Sequence, residues 1–194
     1  PLSTIELLPF AMEGERLASG TAHADNVAPA LYGGFVLIRS YNPLDVVKIN
    51  TPDNLYASIV HPHIEVETRD ARSILKKEIK LKDAITQWGN VAGLVTGLIM
   101  GDYDLIGRSM EDVIVEPLRA ILIPGFYDVK NAALDAGALG GGISGSGPSI
   151  FALSKGEETA HKVGKSMVNA FKNIGIESDI FVSKINAKGP LVIQ

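Results

Sequence analysis

The stretch Gly140-Gly141-Gly142-Ile143-Ser144-Gly145-Ser146-Gly147-Pro148-Ser149 constrains this chain more than any other. It gathers five of the 20 glycines into ten residues. Glycine weakens regular structure, so such a cluster marks backbone that must go where a side chain would obstruct it. Ala138-Leu139 leads in, and the short apolar strand Ile150-Phe151-Ala152-Leu153 leads out. A glycine–serine loop between such flanks brings N–H groups and hydroxyls close to one point, which suits an anion such as phosphate. A tight hairpin without a ligand reads equally well, because a lone glycine loop is a weak motif.

Composition narrows the class. The 194 residues are 46% hydrophobic and 21% charged, enough for the core of one large soluble domain or two small ones. Net charge is −4 without a long basic run, which argues against nucleic acid as partner. There is no cysteine, so disulfides and thiolate metal sites are excluded. The most apolar run, 91–101, is far short of the ~20 residues that span a bilayer, so no membrane partner is expected and the cytoplasm is the default. His61-Pro62-His63 reads as a metal pair or as ordinary strand. The chain opens on Pro1, and Ser3 or Thr4 with Glu6 or Leu7 reads as a helix start almost at once. We therefore expect it to be a piece of a longer protein.

The pattern predicts a helix over 2–16, a polar loop over 17–29, a short helix at 28–32 stopped by Gly33-Gly34, and a hairpin of strands 35–39 and 45–49 around Asn42-Pro43. Thr51-Pro52-Asp53-Asn54 is the expected boundary. Beyond it come a buried strand at 56–61, a helix capped by Thr68 and running to about Lys77, and a long helix over 81–100. Gly89, Gly93, Gly97 and Gly101 fall at four-residue intervals on one face of that helix. Each interior glycine costs about 1 kcal/mol relative to alanine, so close packing on a sheet or neighbouring helix is expected, and a homodimer is worth testing. Helices at 104–111, 126–136 and 157–174 and a closing strand at 180–185 complete the chain. Strands that pair antiparallel and helices in blocks predict an α+β fold.

Three polar clusters accompany the glycine stretch. Glu15 with His23-Ala24-Asp25-Asn26 supplies carboxylates, an imidazole and a carboxamide, suited to magnesium, a polar substrate or an attacking oxygen. The same Asp25 or Asn26 reads equally as a helix cap, with His23 merely exposed. Thr68 and Arg72, four apart, can share one side of a helix's first turn. Arg119 stands among Leu118, Ile121 and Leu122, and an arginine in apolar sequence has a fixed anionic partner, either Glu116 or a ligand. Two converging guanidinium groups suit a substrate carboxylate.

His23-Ala24-Asp25-Asn26-Val27-Ala28-Pro29, Thr68-Arg69-Asp70-Ala71-Arg72, Glu116-Pro117-Leu118-Arg119 before Pro124-Gly125-Phe126, and Gly142 to Ser149 occur in this order. Together they resemble the homoserine kinases of the GHMP small-molecule kinase superfamily. The resemblance implies the tail of an N-terminal domain over 1–52 and a ferredoxin-like α+β C-terminal domain over 53–194. It implies ATP and magnesium as cofactors, Glu15 as magnesium ligand, and His23 against homoserine. Asn26 would lie beside the reacting hydroxyl, with Asp25 either a general base or structural. Thr68 and Arg72 would face the substrate, and Arg72 with Arg119 would bind its carboxylate. Ser144, Gly145, Ser146 and Gly147 would pack on the phosphate loop. That loop, of the form Pro-x-x-x-Gly-Leu-Gly-Ser-Ser-Ala, is absent, so the piece is expected to be inactive alone. Mevalonate-type kinases are the near alternative, expected to carry an Asp-centred loop in place of residues 23–26. A non-catalytic amino-acid-binding regulatory module is the distant one.

Overall fold

The computed structural model describes residues 2–191. It divides into two compact units, one running to Thr51 and joined by residues from Ile185 onward, the other Pro52–Lys184. No helix among the described residues is long and apolar enough to cross a membrane.

The first unit holds α1 (Thr4–Ser19), α2 (Val27–Tyr32) and the antiparallel hairpin of β1 (Phe35–Tyr41) and β2 (Leu44–Ile49). Helix α1 starts where expected, because the backbone N–H and hydroxyl of Ser3 both donate to the Glu6 carboxylate, at 2.8 and 2.6 Å. It runs three residues past the expected Arg16 and stops when Gly20 turns left-handed and donates its N–H to the Arg16 carbonyl. Leu8, Ala24 and Ala28 form the buried centre, with Met12, Val36 and Val46 packed around them. The residues from Ile185, which the sequence reading leaves with the second unit, pack here. Gly34 donates its N–H to the Asn186 carbonyl at 2.6 Å, and Lys48 Nζ reaches the carbonyls of Tyr32 and Ala187.

The second unit runs β3 (Leu55–Pro62), α3 (Thr68–Ser73), α4 (Leu81–Met100), α5 (Tyr103–Arg108), α6 (Glu116–Arg119), a 3-10 turn at Ala120–Leu122, α7 (Phe126–Asp135), β4 (Gly140–Ile143), β5 (Ile150–Lys155), α8 (Glu157–Asn173) and β6 (Ser178–Lys184). The sheet order is β4-β5-β3-β6 with every neighbour antiparallel. Counted within the unit that is second, third, first, fourth: the split β-α-β arrangement of ferredoxin-like folds, as expected. One core lies between sheet and helices. Val60, Ile150 and Ala152 meet Phe126 and Val129 of α7 and Val163, Met167 and Phe171 of α8. The buried positions of α8 recur at three- and four-residue steps, which puts them on one face.

Three expectations are corrected. The glycine stretch is not one loop: Gly140 to Gly142 are strand, and the loop proper is 144–149. The strand is glycine because its neighbours press in. A Cβ on Gly140 would fall 2.7 Å from Met110 Cβ, and one on Gly142 would fall 3.3 Å from Glu116 Oε2. Thr68 does not cap its helix. Glu67 holds the cap position, the helix closes at Ser73 rather than Lys77, and the Thr68 hydroxyl faces Ser146 instead.

The glycines of α4 do not share one cause. A Cβ on Gly97 would fall 2.9 Å from the Ile106 backbone nitrogen, and Gly93 meets Leu105 and Ser109, so α5 is the close neighbour. Gly101 is the left-handed end of the helix, and Gly89 has nothing within 4 Å. Opposite signs follow for one substitution. Gly97→Ala should cost about 1–3 kcal/mol in urea unfolding through overpacking, while Gly89→Ala should gain about 0.5–1 kcal/mol from helix propensity.

Candidate functional site

In the second unit, α3, α6 and the loop 144–149 are held together by side chains, chiefly that of Arg119. Its Nε donates to the Ala71 carbonyl at 3.0 Å and an Nη donates to the Gly145 carbonyl at 2.8 Å. Ala71 is buried on α3 directly before the exposed Arg72. Arg119 therefore reaches the backbone that carries Arg72, while two of its five N–H groups hold main chain. Thr68 Oγ1 stands 3.3 Å from Ser146 Oγ, adding a second tie between α3 and the loop.

The loop closes on itself. Ser144 donates its N–H to the Ser149 carbonyl at 2.8 Å, and Gly147 to the Ser144 carbonyl at 3.0 Å. Gly145 and Gly147 have φ of 60° and 87°, the left-handed region that a side chain disfavours. Ser149 Oγ is hydrogen-bonded to His61 Nδ1 at 2.8 Å. His63 takes a different partner, Asp179 at 3.1 Å, so neither histidine is held with the other.

The arginine's partner is corrected as well. Glu116, only 7% exposed, pairs with Lys130 at 2.6 and 2.8 Å, not with Arg119. Asp112 starts α6 by accepting N–H groups from Ile114, Val115 and Glu116 at 2.9, 2.8 and 3.2 Å. Glu116, Arg119, Gly142, Gly145 and Phe151 line a hollow of about 250 Å³. A larger one of about 460 Å³ is lined by Leu75, Ile79, Lys80, Ile114 and Pro117. Burial pushes the Glu116 carboxyl above its ordinary value, against the opposing pull of Lys130.

In the first unit, Glu15 lies half-buried on α1 and His23 half-buried in the turn before α2, while Asp25 and Asn26 are exposed. Asn26 occupies the cap position of α2, yet its side chain makes no capping bond. The capping alternative for Asn26 therefore falls, and its carboxamide is not consumed by the helix. Among the described residues no three His, Asp or Glu side chains gather at one point. Asp112 and Lys130 were not singled out in the sequence, and His61 was read there only as half of a metal pair or as strand. Lys130 sits 14 residues from Glu116, a separation at which no local pattern announces a pair.

Residues 92–173 match the family described as GHMP kinases C terminal. Those residues lie in the second unit, which carries a GHMP kinase C-terminal domain. Over its whole length it is 58% identical to the homoserine kinase of Chloroherpeton thalassium, and 43% identical over 179 residues to that of Pyrococcus furiosus. It covers 61% and 60% of those proteins, so it spans about three fifths of the relatives it matches. The crystal structure of homoserine kinase from Cytophaga hutchinsonii superposes with a TM-score of 0.96 at 66% identity, over 99% of this chain and 61% of that one. Mevalonate kinase of L. major, at TM-score 0.71 and 21% identity over 98% of this chain and 60% of that one, shares the fold.

The raised Glu116 has a signed consequence. The folded state binds this proton more readily than the unfolded chain, so stability falls as pH rises from about the ordinary 4.5 through the raised folded value. The difference between wild type and Glu116→Gln in urea midpoints across that window should carry this slope, and above it the difference should be flat. A separate outcome concerns Arg119→Ala, which should speed amide exchange in 144–149 and cost about 1–3 kcal/mol.

Proposed function

We propose that this chain forms part of an ATP-dependent kinase that phosphorylates the side-chain hydroxyl of L-homoserine, yielding O-phospho-L-homoserine for threonine biosynthesis. The observation that carries the reading is the likeness to homoserine kinases along the entire chain at up to 66% identity. The tie from Arg119 to the residue before Arg72 supports it locally.

In this reading Arg72, with the N–H groups of Arg119 that do not hold main chain, binds the substrate carboxylate as a planar fork. Thr68 lines the same substrate and His23 contacts it. Asn26 hydrogen-bonds the reacting hydroxyl, a role its uncommitted carboxamide suits. Asp25 shapes that turn rather than taking the proton. The loop from Ser144 through Gly145 and Ser146 to Gly147 supports the nucleotide phosphates.

ATP supplies the phosphoryl group, and magnesium would neutralise its charge. A magnesium ion bound chiefly by phosphate oxygens needs only one or two carboxylates, and Glu15 offers one. The substrate hydroxyl forms a bond to the γ-phosphorus as the bond to ADP breaks, and its proton leaves late to solvent. The chain's residues contribute positioning and charge balance more than covalent help. Partners are then small molecules, in the cytoplasm, within a homodimer.

The test uses a complete enzyme containing this segment and measures ADP release with homoserine, threonine, serine and mevalonate side by side. Homoserine should be preferred, and preference for mevalonate would overturn the reading. Arg72→Ala should raise the homoserine KM about 100-fold or more and leave the ATP KM near normal. Equal losses for both would remove the carboxylate assignment. Asn26→Ala should lower kcat about 100-fold, while Asp25→Asn should stay within about tenfold of wild type.

A further inference from the structure

The loop 144–149 is held from outside at different points by different elements. Arg119 of α6 takes the Gly145 carbonyl at 2.8 Å, and Thr68 of α3 stands 3.3 Å from Ser146 Oγ. The end of the loop is held by the sheet. The register that sets Val60 against Ile150 brings His61 across from Ser149, just before β5 begins. There His61 Nδ1 and Ser149 Oγ are hydrogen-bonded at 2.8 Å. Asp179, the partner of His61 across β6, gives its carboxylate to His63 instead. The strand beneath the imidazole is firm. β3 lies between β5 and β6, and Val60 and Pro62 on either side of His61 are both buried.

We propose that His61 is a positioning residue for the nucleotide: by holding the Ser149 hydroxyl it fixes the shape of the loop that supports the phosphates. The inference rests on the assignment of that loop to the nucleotide under Proposed function. Ser149 is engaged at two atoms, its hydroxyl by His61 and its carbonyl by the N–H of Ser144 at 2.8 Å. The second bond joins the first residue of the loop to the last, so the direction of the Ser149 carbonyl decides whether the loop closes. A serine side chain left to itself samples several rotamers, and the imidazole selects one. Gly145 and Gly147 inside the loop add backbone freedom that such a restraint must offset. Arg119 and Thr68 reach the loop from the elements that carry the substrate groups. His61 reaches it from the sheet, so its loss loosens the loop while α3 and α6 stay tied. The nucleotide half of the site is thereby set apart from the homoserine half.

The test uses a complete enzyme containing this segment, with amide exchange and the two KM values read on each variant. His61→Phe should speed exchange at Ser144 and Gly147 about fivefold or more and raise the ATP KM about fivefold, with the homoserine KM within about twofold. His61→Asn, whose amide can take the place of Nδ1, should restore both readouts. Ser149→Ala should match His61→Phe, and the double variant should be no worse than either single one. Unchanged exchange in His61→Phe and Ser149→Ala would overturn the positioning role itself. Faster exchange with an unmoved ATP KM would instead remove the loop from the nucleotide, and the proposal with it. Equal rises in both KM values, or no recovery in His61→Asn, would reduce His61 to a structural residue and overturn the proposal as well. Should His61→Phe not fold, Ser149→Ala decides, since it removes a single oxygen.

Discussion

Two hydrogen bonds from one guanidinium group give the second unit its working geometry. Arg119 donates to the carbonyls of Ala71 and Gly145, which lie on pieces of chain more than 70 residues apart. Main-chain carbonyls are rigid acceptors, so a side chain that holds two of them sets the spacing of the helix bearing Arg72 and the loop bearing Ser146. Charge-assisted bonds of this kind are stronger than neutral ones. Thr68 and Ser146 add a weaker hydroxyl contact to the same joint.

That geometry rests on a buried ion pair. Glu116 and Lys130 bind each other in a place with little access to water, and Asp112 ends the chain's freedom just before α6 by taking three N–H groups. Burying both charges costs desolvation, and the upward push on the Glu116 carboxyl records that cost. The pair fastens α6 to α7, and α7 belongs to the main core through Phe126 and Val129. Arg119 is in this way anchored to the rigid part of the unit, while its tip holds the less regular part. Gly142 is the strand's concession to this arrangement, since its missing side chain leaves room for the Glu116 carboxylate.

Much of the architecture was legible in the residues because it is local. The 20-residue α4 was read to its ends, and α7, α8 and both hairpin strands lay within a few positions of their observed bounds. Periodicity and glycine stops suffice for that. The motifs around Asn26, Arg72 and Arg119 were legible through resemblance rather than through chemistry. What failed were inferences about why a residue is there. Thr68 has the composition of a cap and serves a tertiary contact. Gly89 and Gly97 look alike in sequence, yet one faces open space and the other a backbone nitrogen.

The sequence alone determined the order of elements, the antiparallel α+β class and the likeness to GHMP kinases, because hydrophobic spacing and short motifs are properties of neighbouring residues. Only the tertiary structure decided which charges pair, which glycines are compressed and which loop Arg119 holds. Glu116 chose Lys130 over the arginine three residues away because burial rewards the partner that enters the same dry space, and that space exists only after α6 and α7 have met.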